Sequence, residues 1–207
     1  MNDYSYCAIA HLIQEPYNKI ICNASKKLSD LYGSWFVLSE NEFPPHLTTW
    51  LAYIPTKNIP LVIDELSKIE SKLNSFSIGT VKIKIQESGF VSLGITSNRI
   101  LNEIHTSLLK HFNVFREGYI PQKYLNDWQN LPIEQQSSIK QYGTRFAGSF
   151  FNPHITIGVV QKEFIEECAK ALPYELEDVE LIVDNLTFFR QKKEGKSIEL
   201  LHTIKLL

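Results

Sequence analysis

Two short segments of this 207-residue chain, PPHLTTWL at 44–51 and NPHITIGV at 152–159, share the pattern Pro-His-apolar-Thr. Both are rich in apolar and β-branched residues, which indicates β-strands. In a strand, residues i and i+2 lie on one face, so the histidine and threonine of each copy share a face while the apolar residue between them points the other way. The sequence therefore predicts an imidazole beside a hydroxyl at two places.

The hydrophobic periodicity around these segments predicts interleaved strands and helices. Because several strands are joined as hairpins, an α+β sheet packed by helices is favoured over a doubly wound parallel sheet. A less regular insertion is predicted at residues 113–151, and the last two strands are predicted to turn at Glu194-Gly195. The predicted strands span residues 4–13, 34–39, 46–54, 76–86, 90–96, 152–160, 179–190 and 197–206, and the predicted helices span 17–32, 59–73, 98–112 and 162–172.

The chain also contains a loose internal repeat. Residues 46–96 and 154–206 each hold a Pro-His-apolar-Thr strand, an amphipathic helix and a hairpin. This repetition predicts one two-lobed domain over residues 1–207, with the lobes related by a pseudo-twofold axis. Such an axis would bring both histidines and both threonines to one cleft.

Those four residues suit chemistry on a phosphodiester. A neutral imidazole can accept a proton while an imidazolium donates one, because histidine titrates near neutrality. The hydroxyls of Thr48 and Thr156 can donate to phosphate oxygens that gain charge. A zinc site built on His46, His154 and a third ligand is the less favoured alternative, since threonine is a poor zinc ligand and no HExxH or cysteine cluster is present.

Four further residues are candidates for binding substrate in the cleft. Strand alternation places Trp50 on the face of His46, and Asn152 on the face of His154. Tyr6 on the first strand is equally well explained as a core tyrosine, and Arg145 in the insertion is suited to a phosphate contact. Four other insertion residues are expected either to stack on a base or to pack the loop onto the body: Tyr119, Lys123, Tyr124 and Trp128. The remaining histidines are predicted to be structural or surface residues: His11, His105, His111 and His202.

The composition excludes several classes of protein. With 21 basic and 23 acidic residues the net charge is -2, which argues against a broad nucleic-acid binder such as an extended DNA-binding surface but allows recognition of one phosphate group. The three cysteines are odd in number and far apart, so a reduced, cytoplasmic chain is expected. We also expect a monomer. No apolar stretch is long enough for a membrane span, and the N-terminal segment lacks the pattern of a signal peptide.

The paired motifs resemble the two His-x-Thr signatures of the 2H phosphoesterase superfamily, which includes LigT-type 2'-5' RNA ligases and cyclic phosphodiesterases. YSYCAI at 4–9, GFVSLGI at 89–95 and the closing segment 186–206 are similar to core strands of that family. The resemblance implies a bilobal fold of two pseudo-symmetric antiparallel-sheet lobes, flanked by helices around a central cleft. It also implies catalysis by His46, Thr48, His154 and Thr156, without a metal or other cofactor, on 2',3'-cyclic or 2'-5' phosphodiesters of a nucleotide or RNA end.

The insertion is longer than the equivalent connection in compact members of that family, which leaves the substrate open. A cyclic oligonucleotide or another cyclic phosphate is an alternative substrate. A module that binds RNA or a nucleotide without turning it over is an alternative of a different class.

Overall fold

The computed structural model describes residues 3–69, 73–192 and 195–207, and it contains an eight-stranded sheet with helices. The strands are β1 (Tyr4–Leu12), β2 (His46–Pro55), β3 (Phe76–Ile85), β4 (Phe90–Ile95), β5 (His154–Val159), β6 (Glu180–Val183), β7 (Asn185–Gln191) and β8 (Ile198–Lys205). The α-helices are α1 (Tyr17–Tyr32), α2 (Ile59–Ser67), α3 (Arg99–Phe112), α4 (Gln122–Asn126), α5 (Ile133–Tyr142) and α6 (Ile165–Cys168).

The two motif strands lie side by side at the centre of the sheet. Its order is β6-β3-β4-β5-β2-β1-β7-β8, and the paired strands are antiparallel. A half-turn about the β5–β2 boundary exchanges β5 with β2, β4 with β1 and β3 with β7. The predicted α+β fold with two related antiparallel halves is confirmed.

The sheet matches the predicted internal repeat only in part. The hairpin β3–β4 follows β2 in the chain but pairs with β5, and the hairpin β7–β8 follows β5 but pairs with β1 beside β2. Each motif strand therefore leads into a hairpin of the other half. The counterpart of β4 is β1 at the start of the chain, not β8 as the repeat predicts.

One apolar core supports the motif strands from behind. Leu47 and Ile155, the apolar residues between each histidine and threonine, are fully buried in it. Helix α3 packs against β2, and helix α1 packs against β5. Burying a leucine or isoleucine side chain stabilises the fold by about 1.5–3 kcal/mol, so these contacts hold the motif face towards the opposite, open side of the sheet.

The strand predicted at residues 34–39 is wrong. Alternate residues there are buried and the amide of Trp35 donates to the carbonyl of Val159 on β5, but the only β-bridge of the described segment is the isolated pair Ser39 and Phe43. The amide of Leu38 donates to the hydroxyl of Ser25 on α1 instead of to a neighbouring strand. A side-chain acceptor of this kind pairs the backbone amide of an extended segment without a neighbouring strand.

Three other predicted elements are shorter than the pattern indicates. The helix predicted at 162–172 is α-helical only over Ile165–Cys168. The strand predicted at 179–190 is divided into β6 and β7, because β6 pairs with β3 in one half and β7 pairs with β1 in the other. Helix α2 ends at Ser67 instead of residue 73, and residues 70–72 lie outside the described part of the chain. Glu194, half of the predicted turn, also lies outside it, whereas the partly helical insertion at 113–151 contains α4 and α5.

Within the described residues, the three cysteines form no disulfide. No helix in this part of the structure has the length and apolar character needed to cross a bilayer.

Candidate active site

The four motif side chains meet where β2 and β5 pair. Leu47 is the partner of Ile155 in this antiparallel pair. This register sets His46 across from Thr156 and Thr48 across from His154, with directly opposed Cα atoms about 5 Å apart. The structure therefore brings the four predicted residues together on one face, around the pseudo-twofold axis.

A β-bulge ends each motif immediately after its threonine. On β2 the register skips Thr49, and on β5 it skips Ile157. A bulge adds one unpaired residue and reverses the alternation of faces beyond it. Each strand therefore presents only its histidine and threonine on the motif face in this short stretch. Beyond the bulge, the alternation of faces is reversed.

The bulge at Thr49 makes the predicted orientation of Trp50 wrong. The bulge turns the Trp50 indole to the core side, where it is 2% exposed and lies 5.9 Å from the ring of Phe112. Its edge still borders the cavity described below. Leu51 takes the place on the motif face that unbroken alternation gives to Trp50.

The two imidazoles are held in the same tautomer. Nδ1 of His46 is 2.8 Å from the carbonyl oxygen of Pro44, and Nδ1 of His154 is 2.8 Å from that of Asn152. A carbonyl only accepts, so Nδ1 of each ring carries the hydrogen and Nε2 of the neutral ring is left with its lone pair. Each Nε2 is thus ready to accept a proton when neutral and to donate one when charged.

The surroundings of the two histidines differ. The His46 ring lies 5.7 Å from Phe43 and 5.1 Å from Phe189, and its strand neighbour is Leu12. Burial lowers the pKa of His46 below its ordinary value, and nearby His154 lowers it further, against the opposing effect of the Pro44 hydrogen bond.

His154 occupies a more open position. It lies 5.5 Å from Phe90, edge to face, and its strand partner is Gly94, which has no side chain to cover it. Both histidines are half-buried, but His46 has two aromatic neighbours and Leu12, whereas His154 has one aromatic neighbour and Gly94.

A cavity of about 570 Å³ opens beside Thr48 and His154. It is bounded by the β3–β4 hairpin on one side and by the segment 144–153 on the other. Among its described lining residues, Lys84 and Arg145 carry positive charge and none is a carboxylate. The cavity therefore favours an anionic ligand.

Three of the four predicted binding residues line this cavity, and their polar side-chain groups have no hydrogen-bond partner among the described residues. The Arg145 guanidinium lies 4.9 Å from the ring of exposed Phe146, and the Asn152 side chain is exposed at the rim. The ring of Tyr6 lies 4.7 Å from that of Tyr53, and burial raises the pKa of its phenol, so the hydroxyl stays a donor. All three residues line the same cavity as Thr48 and His154.

The remaining insertion candidates separate into two groups. Tyr124 and Trp128 pack in a small apolar cluster with Leu131 and Ile139. Tyr119 stacks on Tyr4 with ring centroids 3.9 Å apart, and Lys123 extends over the ring of Tyr6 at 5.8 Å. The second group places the insertion against the N-terminal end of β1, beside the cavity-lining Tyr6.

The buried residue His105 on α3 connects both motifs, a role that the sequence analysis missed. Its Nδ1 donates to the carbonyl of bulge residue Thr49 at 2.6 Å, and its Nε2 accepts from the amide of Gly148 at 3.0 Å. Its ring stacks on Phe151 at 3.9 Å, three residues before His154. The only available signal was a histidine on the apolar face of an amphipathic helix.

Metal coordination finds little support among these residues. In the described parts of the chain, no three His, Cys, Asp or Glu side chains are grouped as a metal site would need. The donors that meet at the motif face are two imidazoles and two hydroxyls.

Solved structures share this fold. Escherichia coli LigT complexed with ATP is 13% identical over 99% of both chains with a TM-score of 0.54, and the same protein complexed with 3'-AMP is 12% identical over 99% of both chains with a TM-score of 0.53. The protein TT0787 of Thermus thermophilus is 13% identical over 97% of both chains with a TM-score of 0.58. These likenesses concern the fold.

No curated protein matches the chain significantly in sequence. The family described as the 2'-5' RNA ligase superfamily matches residues 33–195, a range that includes both motifs and most of the sheet. The chain therefore belongs to the 2'-5' RNA ligase superfamily.

Proposed function

We propose that this chain is a metal-independent phosphodiesterase that hydrolyses a 2',3'-cyclic or 2'-5' phosphodiester of a nucleotide or RNA end. One observation carries the proposal. His46 and His154 lie on one face with Nδ1 of each bound to a backbone carbonyl, so both Nε2 atoms are available beside Thr48 and Thr156. General acid-base catalysis of a phosphodiester needs two such groups and donors for its oxygens.

In the proposed reaction, a water oxygen attacks phosphorus while one imidazole Nε2 takes the proton of that water. The bond between phosphorus and the ribose oxygen breaks, and the other imidazolium gives its Nε2 proton to that oxygen. The product is a phosphomonoester and a free hydroxyl. The hydroxyls of Thr48 and Thr156 have no partner among the described residues, so both are free to donate to the non-bridging oxygens.

We assign the base role to His46. Its lowered pKa keeps it neutral at pH 7, and a neutral imidazole is the form that accepts a proton. His154, beside Gly94 and open to the cavity, is then the acid that protonates the leaving oxygen. In the reverse, ligation-like direction the two roles exchange.

A nucleotide is the substrate class that best fits the surroundings. The cavity offers the aromatic rings of Tyr6 and Phe146 for stacking, and the guanidinium of Arg145 for an anion. The structural neighbour LigT has been crystallised with ATP and with 3'-AMP. We assign Tyr6, Arg145 and Asn152 to substrate binding, and the insertion at 113–151 to the choice among nucleotides.

The test is hydrolysis, in EDTA, of nucleoside 2',3'-cyclic phosphates, 2'-5' dinucleotides and cyclic oligonucleotides. His46→Ala and His154→Ala are expected to lower kcat by about a hundredfold or more, as is usual when a general acid or base is removed. His111→Ala is the matched control, because that exposed histidine bonds only within its own helix.

Turnover that depends on both motif histidines, and not on His111, supports the proposal. Activity that EDTA abolishes and zinc restores would contradict the metal-independent mechanism. Tight binding of one ligand with no turnover of any would favour a binding module instead.

A further inference from the structure

The motif face continues beyond the motifs as a transverse row of polar side chains. On the ladder from β3 to β5, Lys84 is the partner of Ser92, and Ser92 is the partner of Thr156. Opposed residues of adjacent strands face the same side of a sheet. Lys84 and Ser92 therefore lie on the face of Thr156, and both line the cavity.

Neither of these side chains is engaged by the protein. The Lys84 ammonium and the Ser92 hydroxyl have no hydrogen-bond or ion-pair partner among the described residues. The nearby carboxylate of Glu177 is bound instead to the amide of Ile83 at 2.8 Å. A cation and a hydroxyl left free in a cavity without carboxylates are available to an anion.

The other half of the sheet has no such row among its described residues. The counterpart of Ser92 is Ala10, and the counterpart of Lys84 is Thr187. The Thr187 hydroxyl is already bonded to that of Thr203 at 3.0 Å. The two halves of the sheet therefore differ, because only the β3–β4 side offers an unpaired positive charge, that of Lys84, among the described residues of this row.

We infer that Lys84 and Ser92 form a second phosphate subsite, so that the preferred substrate carries a phosphate group besides the reacting phosphodiester. The inference rests on the proposed function, because it takes the motif residues as the site of the reacting phosphate. Lys84 lies two strands from Thr156, a Cα separation of about 10 Å, so an anion held by Lys84 and Ser92 would lie beside the reacting phosphate, further along the row. Lys84 and Ser92 are partners on adjacent strands and line the same cavity.

The test is a binding comparison that needs no turnover. Adenosine 3'-monophosphate and adenosine 3',5'-bisphosphate are titrated calorimetrically into the wild type, Lys84→Gln, Ser92→Ala and Lys82→Gln. Lys82 is the matched control, since it lies on the same strand, is exposed and does not line the cavity. We expect the wild type to bind the bisphosphate roughly tenfold more tightly than the monophosphate, as for one charge-assisted hydrogen bond.

Lys84→Gln is expected to remove this preference, Ser92→Ala to reduce it, and Lys82→Gln to leave it unchanged. Equal weakening of both ligands by Lys84→Gln would overturn the inference, because Lys84 would then contact the phosphate common to both. An unchanged preference in Lys84→Gln, or no preference in the wild type, would overturn it as well. A Lys84-dependent preference in a protein that hydrolyses none of the substrates above would refute the proposed function and leave the subsite standing.

Discussion

Replacing His105 with phenylalanine tests whether one buried side chain positions both motifs. Phenylalanine keeps a planar ring for stacking on Phe151 but removes both ring nitrogens. The carbonyl of Thr49 and the amide of Gly148 then lose their partners at 2.6 Å and 3.0 Å. These two backbone groups flank the cleft, one directly after Thr48 and the other in the segment that leads to His154.

The expected cost follows from these two contacts. A buried backbone group left without a partner costs about 1–3 kcal/mol. Thr49 is buried but Gly148 is exposed, so the Gly148 amide can bind water and the expected loss of unfolding free energy is about 1–3 kcal/mol. A domain of this kind has about 5–15 kcal/mol in total, so the variant is expected to fold. A displacement of about 1 Å at a catalytic group lowers rates up to a hundredfold, so we expect kcat to fall more than KM rises.

Denaturant unfolding and steady-state kinetics on the cyclic-phosphate substrate measure the two effects. His105→Gln is the conservative variant, because its amide donates through nitrogen and accepts through oxygen, and it should recover part of both losses. His111→Phe on the same helix is the control and should change stability by less than about 0.5 kcal/mol. Wild-type stability and kcat in His105→Phe, or equal losses in His105→Phe and His105→Gln, would refute the positioning role.

Three further predictions concern the motifs and the core. If His46 is the base, kcat/KM falls as the pH drops through its lowered pKa, so the acid limb should have a midpoint below 6.5; a midpoint above 7 would contradict the assignment. Thr156→Val should lower kcat about tenfold or more while Thr156→Ser retains most of it, since only serine keeps the donor; equal kinetics would exclude that role. Burial lowers the pKa of His11 to about 4, so the contribution of neutral His11 to stability is fully present above pH 6.5. About 3 kcal/mol of unfolding free energy is lost as the pH falls to 4. Urea unfolding across that range should show a weaker pH dependence in His11→Phe.

The paired motifs were predictable because their signal is local. A strand presents residues i and i+2 on one face, and the two copies gave the same face assignment independently. The apolar residues between them, Leu47 and Ile155, are buried as that alternation requires. Strand pairing then needed only the pseudo-twofold relation to bring the four side chains together.

The misassigned residues depend on contacts between distant segments. The bulge at Thr49 is visible only in the pairing of β2 with β1, and it reverses the face on which Trp50 lies. His105 is a histidine on a buried helix face, and its role depends on two backbone groups 56 and 43 residues away. Periodicity within one element carries no information on either.

The same pairing rules explain how a nearly symmetric sheet builds a directional site. Both motif histidines share one tautomer and one bulged strand end, so symmetry alone would leave acid and base interchangeable. The flanking strands differ, because the strand partner of His46 is Leu12 whereas that of His154 is Gly94. Lys84, which has no partner among the described residues, also lies in the half of the sheet that contains His154. A substrate drawn to that charge would extend over β4 and β3, along the row of side chains that runs through Ser92 and Thr156 to His46.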